Sequence, residues 1–249
     1  MNANSREAGQ LALLEETGTP VDAWRVRPSL RARRLAVRVL PGGLVEIVVP
    51  RGTRPRTIEQ FVARHRRWIE RKLALYRPIE IAPAGGLPRE LHFAASGRRY
   101  DLRFIESAEA PRLMVEGMAL RIHGPVERPV LLRRLLQRFA MREAHTVLAP
   151  WLAGLSASTG LQYKRLQIRR QRTRWGSCSR SGTISLNACL LFQPPAVVNY
   201  LLIHELVHTR HMNHSRRFWA LVESLEPAWR ELDAALTGGW RAVPAWALG

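Results

Sequence analysis

The residues His204-Glu205-Leu206-Val207-His208 form an H-E-x-x-H motif at the end of an apolar run, Val197-Val198-Asn199-Tyr200-Leu201-Leu202-Ile203. Side chains four apart share one face of a helix, so both imidazoles point the same way. Two neutral ring nitrogens can then grip one zinc ion, Zn2+, and the intervening Glu205 lies beside a water it can deprotonate. A third histidine, His214, follows ten positions after the first. Hydrolysis at zinc needs three protein ligands and one open position.

The charge pattern around the motif is selective. Between Glu143 and Glu223 the only carboxylate is Glu205, while Lys164, Arg165, Arg169, Arg170, Arg172, Arg174, Arg180, Arg210, Arg216 and Arg217 crowd the same interval. A lone acid on an apolar helix is costly unless something positive partners it. A zinc ion and its water would be that partner.

Four residues compete for the third ligand position: His211, His214, Glu223 and Glu226. A straight helix rises about 1.5 Å per residue, so His204 and His211 would lie roughly 10 Å apart along the axis. Three nitrogens strung along one straight face cannot all reach a metal at about 2.0–2.1 Å. The chain must therefore turn after His208. Asn213 suits a left-handed helix terminator, which would put His214 on the returning segment. Glu223 or Glu226 would instead complete a two-histidine, one-glutamate site. His211 is a further option, as a ligand, as a support for one, or as a donor to a reacting oxyanion.

The elements that position these residues follow from periodicity and punctuation. Leu35–Val39 and Val45–Val49 flank Pro41-Gly42-Gly43, which predicts a hairpin. Thr57 is placed to cap a helix from Ile58 to about Tyr76, with Phe61, Val62, Trp68, Ile69 and Leu73 as its apolar stripe. The other side of that helix is basic (Arg64, Arg66, Arg67, Arg71, Lys72), the pattern of a solvated face. A Pro/Gly-rich connector spans Pro78 to Pro88. Two short hairpins follow, Leu91–Phe93 with Tyr100–Phe104 and Leu113–Glu116 with Ala119–Ile122. An amphipathic helix is expected from Val130 to about Leu155, with Leu132, Leu135, Leu136, Phe139, Ala140, Val147 and Leu148 inward. Then come strands Leu166–Arg169 and Thr183–Leu190, joined through Trp175-Gly176-Ser177-Cys178. Pro194-Pro195 opens the histidine helix, since proline suits a first turn. One last helix is expected from Arg216 to Leu236, stopped by Gly238-Gly239. The implied organisation is a polar lead (1–20), a β-rich region with one helix (21–124), a catalytic domain (125–238) and a tail (239–249).

Composition sets outer bounds. The chain has 249 residues, 46% of them hydrophobic, enough for one large core or two small ones. No run of ~18 apolar residues suggests a membrane span. Residues 1–16 lack the apolar stretch of a signal peptide, and two cysteines, Cys178 and Cys189, make no disulfide framework; the cytoplasm is the expected location. The net charge is +19, and 37 of the 39 basic residues are Arg. Arg reads phosphate bidentately, so DNA or another polyanion is an expected contact through an Arg-rich surface. The Arg-over-Lys bias also arises from a GC-rich genome, so only the net sign is informative. Nothing in the sequence sets the oligomeric state.

HELVHTRHMNHSRRFW, His204 to Trp219, resembles the signature of the YgjP/SprT-like zinc metallohydrolases. RTRWGSCSRSGTISLN, Arg172 to Asn187, resembles the Trp-Gly-Ser-Cys hairpin of the same family. The N-terminal half is similar too, with a basic hairpin ending in Val49-Pro50 and then a helix carrying Trp68-Ile69. The resemblance implies an α+β fold. Its C-terminal domain would be a gluzincin-like metallopeptidase domain with the H-E-x-x-H helix packed on a short sheet, preceded by the β-rich region. It implies His204, His208 and His214 as the zinc ligands, with an aromatic soon after the third, here Phe218. Metzincins share the spacing of first to third histidine but usually hold glycine where this chain has His211. SprT relatives are proteases acting on DNA-bound proteins, and YgjP-type proteins have also been assigned metal-dependent UTP pyrophosphatase activity.

The expected function is a zinc metallopeptidase. Glu205 would be the general base and a protein or peptide the substrate, close to nucleic acid. Thr183–Leu190 is a candidate edge strand for an extended peptide. A nucleotide pyrophosphatase is the alternative, although such chemistry usually favours Mg2+ held by oxygens, and carboxylates are scarce here. A nucleic-acid-binding module with structural zinc is the other, with Cys178 or His211 as a fourth ligand. That reading leaves Glu205 without a purpose. Trp175 and Cys178 are expected to shape the turn beside the cleft, and Arg174 or His211 to stabilise an oxyanion.

Overall fold

The computed structural model describes residues 24–76 and 87–248. The expected polar lead and most of the Pro/Gly connector lie outside the described residues. The chain divides into two compact units, Met1–Pro78 and Ile79–Gly249. Among the described residues there are three small sheets and five α-helices, an α+β arrangement.

The first unit holds β1 (Trp24–Ser29), β2 (Ala36–Leu40), β3 (Leu44–Pro50) and α1 (Pro55–Tyr76). β2 and β3 form the expected hairpin, with Val37 opposite Ile47 and Val39 opposite Val45. Its turn needs glycine, because Gly42 and Gly43 sit at φ 87° and 82°. β1 then pairs parallel with β3, giving the order β1-β3-β2. α1 starts at Pro55, earlier than expected, so Thr57 falls inside its first turn. Ile58, Val62, Ile69 and Leu73 of α1 share a core with Trp24, Val39, Val45, Ile47 and Val49. Trp68 was expected in that stripe, yet it is 37% exposed. Ile69 takes the inward position, and the preceding residue lies about 100° around the helix.

The second unit opens with β4 (Glu90–Phe93), β5 (Arg98–Glu106), β6 (Arg112–Glu116) and β7 (Ala119–Gly124). The two expected hairpins form, and a parallel β5–β7 pairing joins them into one sheet of order β4-β5-β7-β6. α2 (Pro129–Thr159) buries Leu132, Leu136, Phe139, Ala144, Leu148 and Leu152, and ends at Gly160, where φ is 71°. Tyr100 and Arg98 of β5 both donate to Glu143 of α2, at 3.0 and 2.9 Å.

The third sheet carries the site. β8 (Arg165–Arg169), β9 (Gly176–Cys178) and β10 (Thr183–Asn187) pair in the order β8-β10-β9. β10 is therefore the central strand, not the edge expected for it, and Ile184 and Leu186 are fully buried. It also stops at Asn187, short of Leu190. The Asn187 side chain accepts from Cys189 N and donates to the Gln171 and Arg174 carbonyls, which starts a 3-10 turn over Ala188–Phe192 and ties down the loop before β9. α3 (Pro195–Val207) buries nearly its whole circumference, as a core helix must.

The expected last helix is two helices, α4 (Arg216–Leu225) and α5 (Trp229–Gly238). Pro227 forces the break: the residue before a proline is pushed out of the helical region, and Glu226 sits at φ −144°, ψ 86°. The residues expected as a tail are instead built into the core. Trp240, Val243 and Trp246 are buried, Trp240 stacks on Trp175 at 3.9 Å, and Gln137 donates to the Trp246 carbonyl at 2.8 Å.

Candidate metal centre

α3 delivers His204 and Glu205 in its last turn, and His208 is the cap residue behind it. The chain then turns tightly: Thr209 N–H donates to the Leu206 carbonyl, and Arg210 and His211 N–H both donate to that of Val207. No described residue other than glycine has positive φ, so the expected left-handed terminator at Asn213 is not used. The tight turn does that work, and Ser215 restarts the chain by accepting from Phe218 N at the head of α4. His214 lies just before this cap and swings back over α3.

One ring nitrogen each from His204, His208 and His214 lies within 4.8 Å of the others. The Nε2 atoms of His204 and His214 face each other at 3.2 Å. Two ligands at about 2.0–2.1 Å from a tetrahedral zinc sit roughly 3.3–3.4 Å apart, so this pair already has the spacing the ion would require. Burial and the neighbouring imidazoles push His204 down to about 3, and burial also lowers His208. His204 and His208 therefore present neutral nitrogens.

The orientation of those rings is set from behind. The Tyr200 hydroxyl donates to Asp233 Oδ1 at 2.7 Å and lies 3.4 Å from His204 Nδ1. Having one proton, already given to Asp233, the hydroxyl meets His204 as an acceptor. That keeps a proton on His204 Nδ1 and leaves Nε2 bare. His208 Nδ1 donates to the His211 carbonyl at 3.0 Å, with the same result. The three-ring cluster stands on Phe218, which is fully buried, with ring centroids 4.6–5.0 Å from each histidine. Trp219 stacks on His214 and on Trp229.

Glu205 is 4% exposed, and its Oε2 has no hydrogen-bond partner among the described residues. Burial pushes its carboxyl up to about 8, against the pull of Arg174. A Cβ on Gly176 would lie 2.5 Å from Glu205 Oε1, so only glycine lets β9 pass this close to the acid. The orphaned oxygen, the glycine cradle and three imidazoles converging within 4.8 Å of one another are a donor set that fits a zinc ion.

The other expected participants lie elsewhere. The His211 side chain is outside the cluster; its carbonyl is what acts. Glu223 is exposed and paired with Arg230 at 2.7 Å, and Glu226 accepts from Asn199 at 3.4 Å. Cys178 is protonated, its thiol pushed up to about 11 by burial and by Glu205. Trp175 is buried against Trp240, buttressing the strand that carries Gly176. Tyr200 and Asp233 were missed from sequence. Tyr200 stands one helical turn before His204, a spacing that could have found it; Asp233 comes from another helix and gave no such signal.

These features place the protein in a class, the metallopeptidase-type domains. Residues 33–238 match the model of the YgjP-like metallopeptidase domain, and the chain belongs to the YgjP-like family. No curated protein matches it. Among solved structures it is similar to the crystal structure of the metallopeptidase zymogen of Pyrococcus abyssi abylysin, at 28% identity over 34% of this chain and 87% of that one, with a TM-score of 0.32.

Proposed function

We propose that the protein is a zinc-dependent metallopeptidase, with His204, His208 and His214 as ligands and Glu205 as general base. The observation that carries this reading is the convergence of three imidazole nitrogens on the helix end that also carries Glu205, a buried acid with an unpartnered oxygen. When bound, zinc supplies a Lewis acid that polarises a carbonyl and lowers the pKa of water toward ~7. Glu205 Oε2 takes the proton of the attacking water and returns it to the departing amine. Tyr200 and the His211 carbonyl hold the ligand rings, and Phe218 keeps water from beneath them. β9 is the sheet edge nearest Glu205, so an extended substrate would add its backbone there and not at the central β10.

An open three-ligand cluster favours catalysis over a closed structural site, and among the described residues no fourth group joins it. The same cluster lacks the carboxylates that would hold Mg2+ for pyrophosphate chemistry. The test is cleavage of an unfolded protein by the zinc-loaded enzyme with Glu205→Gln as the blank. Cleavage that disappears in the variant supports the peptidase; zinc bound without any cleavage ends that reading and makes nucleoside triphosphates the next substrate.

A further inference from the structure

The first unit concentrates positive charge and bridges little of it. Residues 24–76 carry 13 Arg and one Lys against three Glu. On α1, Arg56, Gln60, Arg64, Arg67 and Arg71 fall along one exposed face, opposite the buried Ile58, Val62, Ile69 and Leu73. Glu59 and Glu70 lie off to one side, where Glu70 takes Arg66 at 3.0 Å. Among the described residues no salt bridge reaches Arg56, Arg64, Arg67 or Arg71. Four guanidinium groups thus line about 22 Å of helix with no acid between them.

A second observation selects the ligand. Trp68, 37% exposed, borders this face, and its neighbours at helical spacing are Arg64, Arg71 and Lys72, with the half-buried His65 turned to Phe61. An exposed ring framed by cations is a platform on which an unpaired base can stack while the arginines follow its phosphates. Duplex DNA keeps its bases stacked within and offers nothing to the ring. An anionic membrane attracts such charges at its surface but offers the ring no base to stack on, and the apolar face of α1 that could insert is packed into the core.

We propose that α1 is a docking surface for single-stranded nucleic acid, with Arg64, Arg67 and Arg71 on phosphates and Trp68 on a base. This gives the polyanion contact expected from composition a definite place, and it is independent of the peptidase reading.

The test is fluorescence anisotropy of the full chain with a labelled 20-nucleotide single strand, its duplex, and anionic phosphatidylserine vesicles, from 50 to 200 mM salt. Glu205→Gln serves as background, so that failed catalysis and failed binding are separate results. Combined Arg64→Gln, Arg67→Gln and Arg71→Gln should weaken single-strand binding by ~10-fold or more and flatten the log–log salt slope by about 2. Trp68→Leu should weaken the single strand by roughly tenfold and leave the duplex unchanged. The matched control is Arg103→Gln, Arg134→Gln and Arg138→Gln, exposed arginines of the second unit; it should lose far less. Equal losses in the two triple variants would overturn the proposal. So would a preference for duplex, indifference to Trp68, or binding to vesicles but not to the oligonucleotide.

Discussion

Residues 24–76 hold a net charge of +11 in 53 residues, and the 162 described residues of the second unit hold the same +11. The first unit displays its charge in water, mostly unbridged, on a helix whose apolar side alone is structural. The second unit keeps most of its chemistry inside: His208 and Glu205 are buried, His204 is half-buried, and His214 is the member of the site that reaches the surface. The difference is one of cost. A solvated guanidinium needs no partner, whereas every buried polar group must have its protons assigned. The basic face should therefore tolerate substitution, and the histidine site should not.

The largest effect expected is on the buried side. Glu205→Gln should lower peptide cleavage by ~10²–10⁴-fold while zinc still binds and the affinity for single-stranded nucleic acid is unchanged, measured by steady-state kinetics and anisotropy. If nucleic-acid affinity falls as well, the two regions are not separable. Phe218→Ala, beneath the three rings, should cost about 3–5 kcal/mol of stability in denaturant melts. A much smaller loss would mean the floor of the site is not tightly packed.

Tyr200→Phe tests whether the proton chain from Asp233 orients His204. Zinc affinity by competition with a chromophoric chelator should fall ~10–100-fold. If only the melting temperature moves, Tyr200 does no more than pin α3 to α5.

A smaller effect is expected at Cys189, whose thiol burial pushes up to about 12. An acid with a raised folded-state pKa costs nothing while both states are protonated, below the ordinary thiol value, and loses stability as pH rises from there toward 12. Melts at pH 10 should show about 1–2 kcal/mol of alkaline loss that Cys189→Ala removes. The smallest change belongs to the basic face. Glu70→Gln breaks an ion pair whose side chains are both more than half exposed, and should cost under ~0.5 kcal/mol. A larger cost would show that this face is structural after all.

Sequence alone was enough wherever the deciding physics is local. The spacing of His204 and His208 follows from the helical period. The β2–β3 hairpin follows from Gly42-Gly43 and alternating valines, and the start of α3 follows from Pro194-Pro195. Even the break between α4 and α5 was legible in Pro227, although amphipathic spacing on both sides masked it. Trp68 was misjudged because periodicity places a stripe only to within one residue, and packing chose Ile69.

What tertiary structure decided are the relations between segments far apart in sequence. The parallel pairing of β8 with β10 made β10 central and left β9 as the edge beside Glu205. The turn after His208 brought His214, and not His211, Glu223 or Glu226, into the histidine cluster, within 3.2 Å of His204. Asp233 reached Tyr200 from a different helix, and the last residues folded under Trp175. None of these has a sequence period, because each depends on which surfaces bury each other and on where the hydrogen-bond partners of buried polar groups happen to lie.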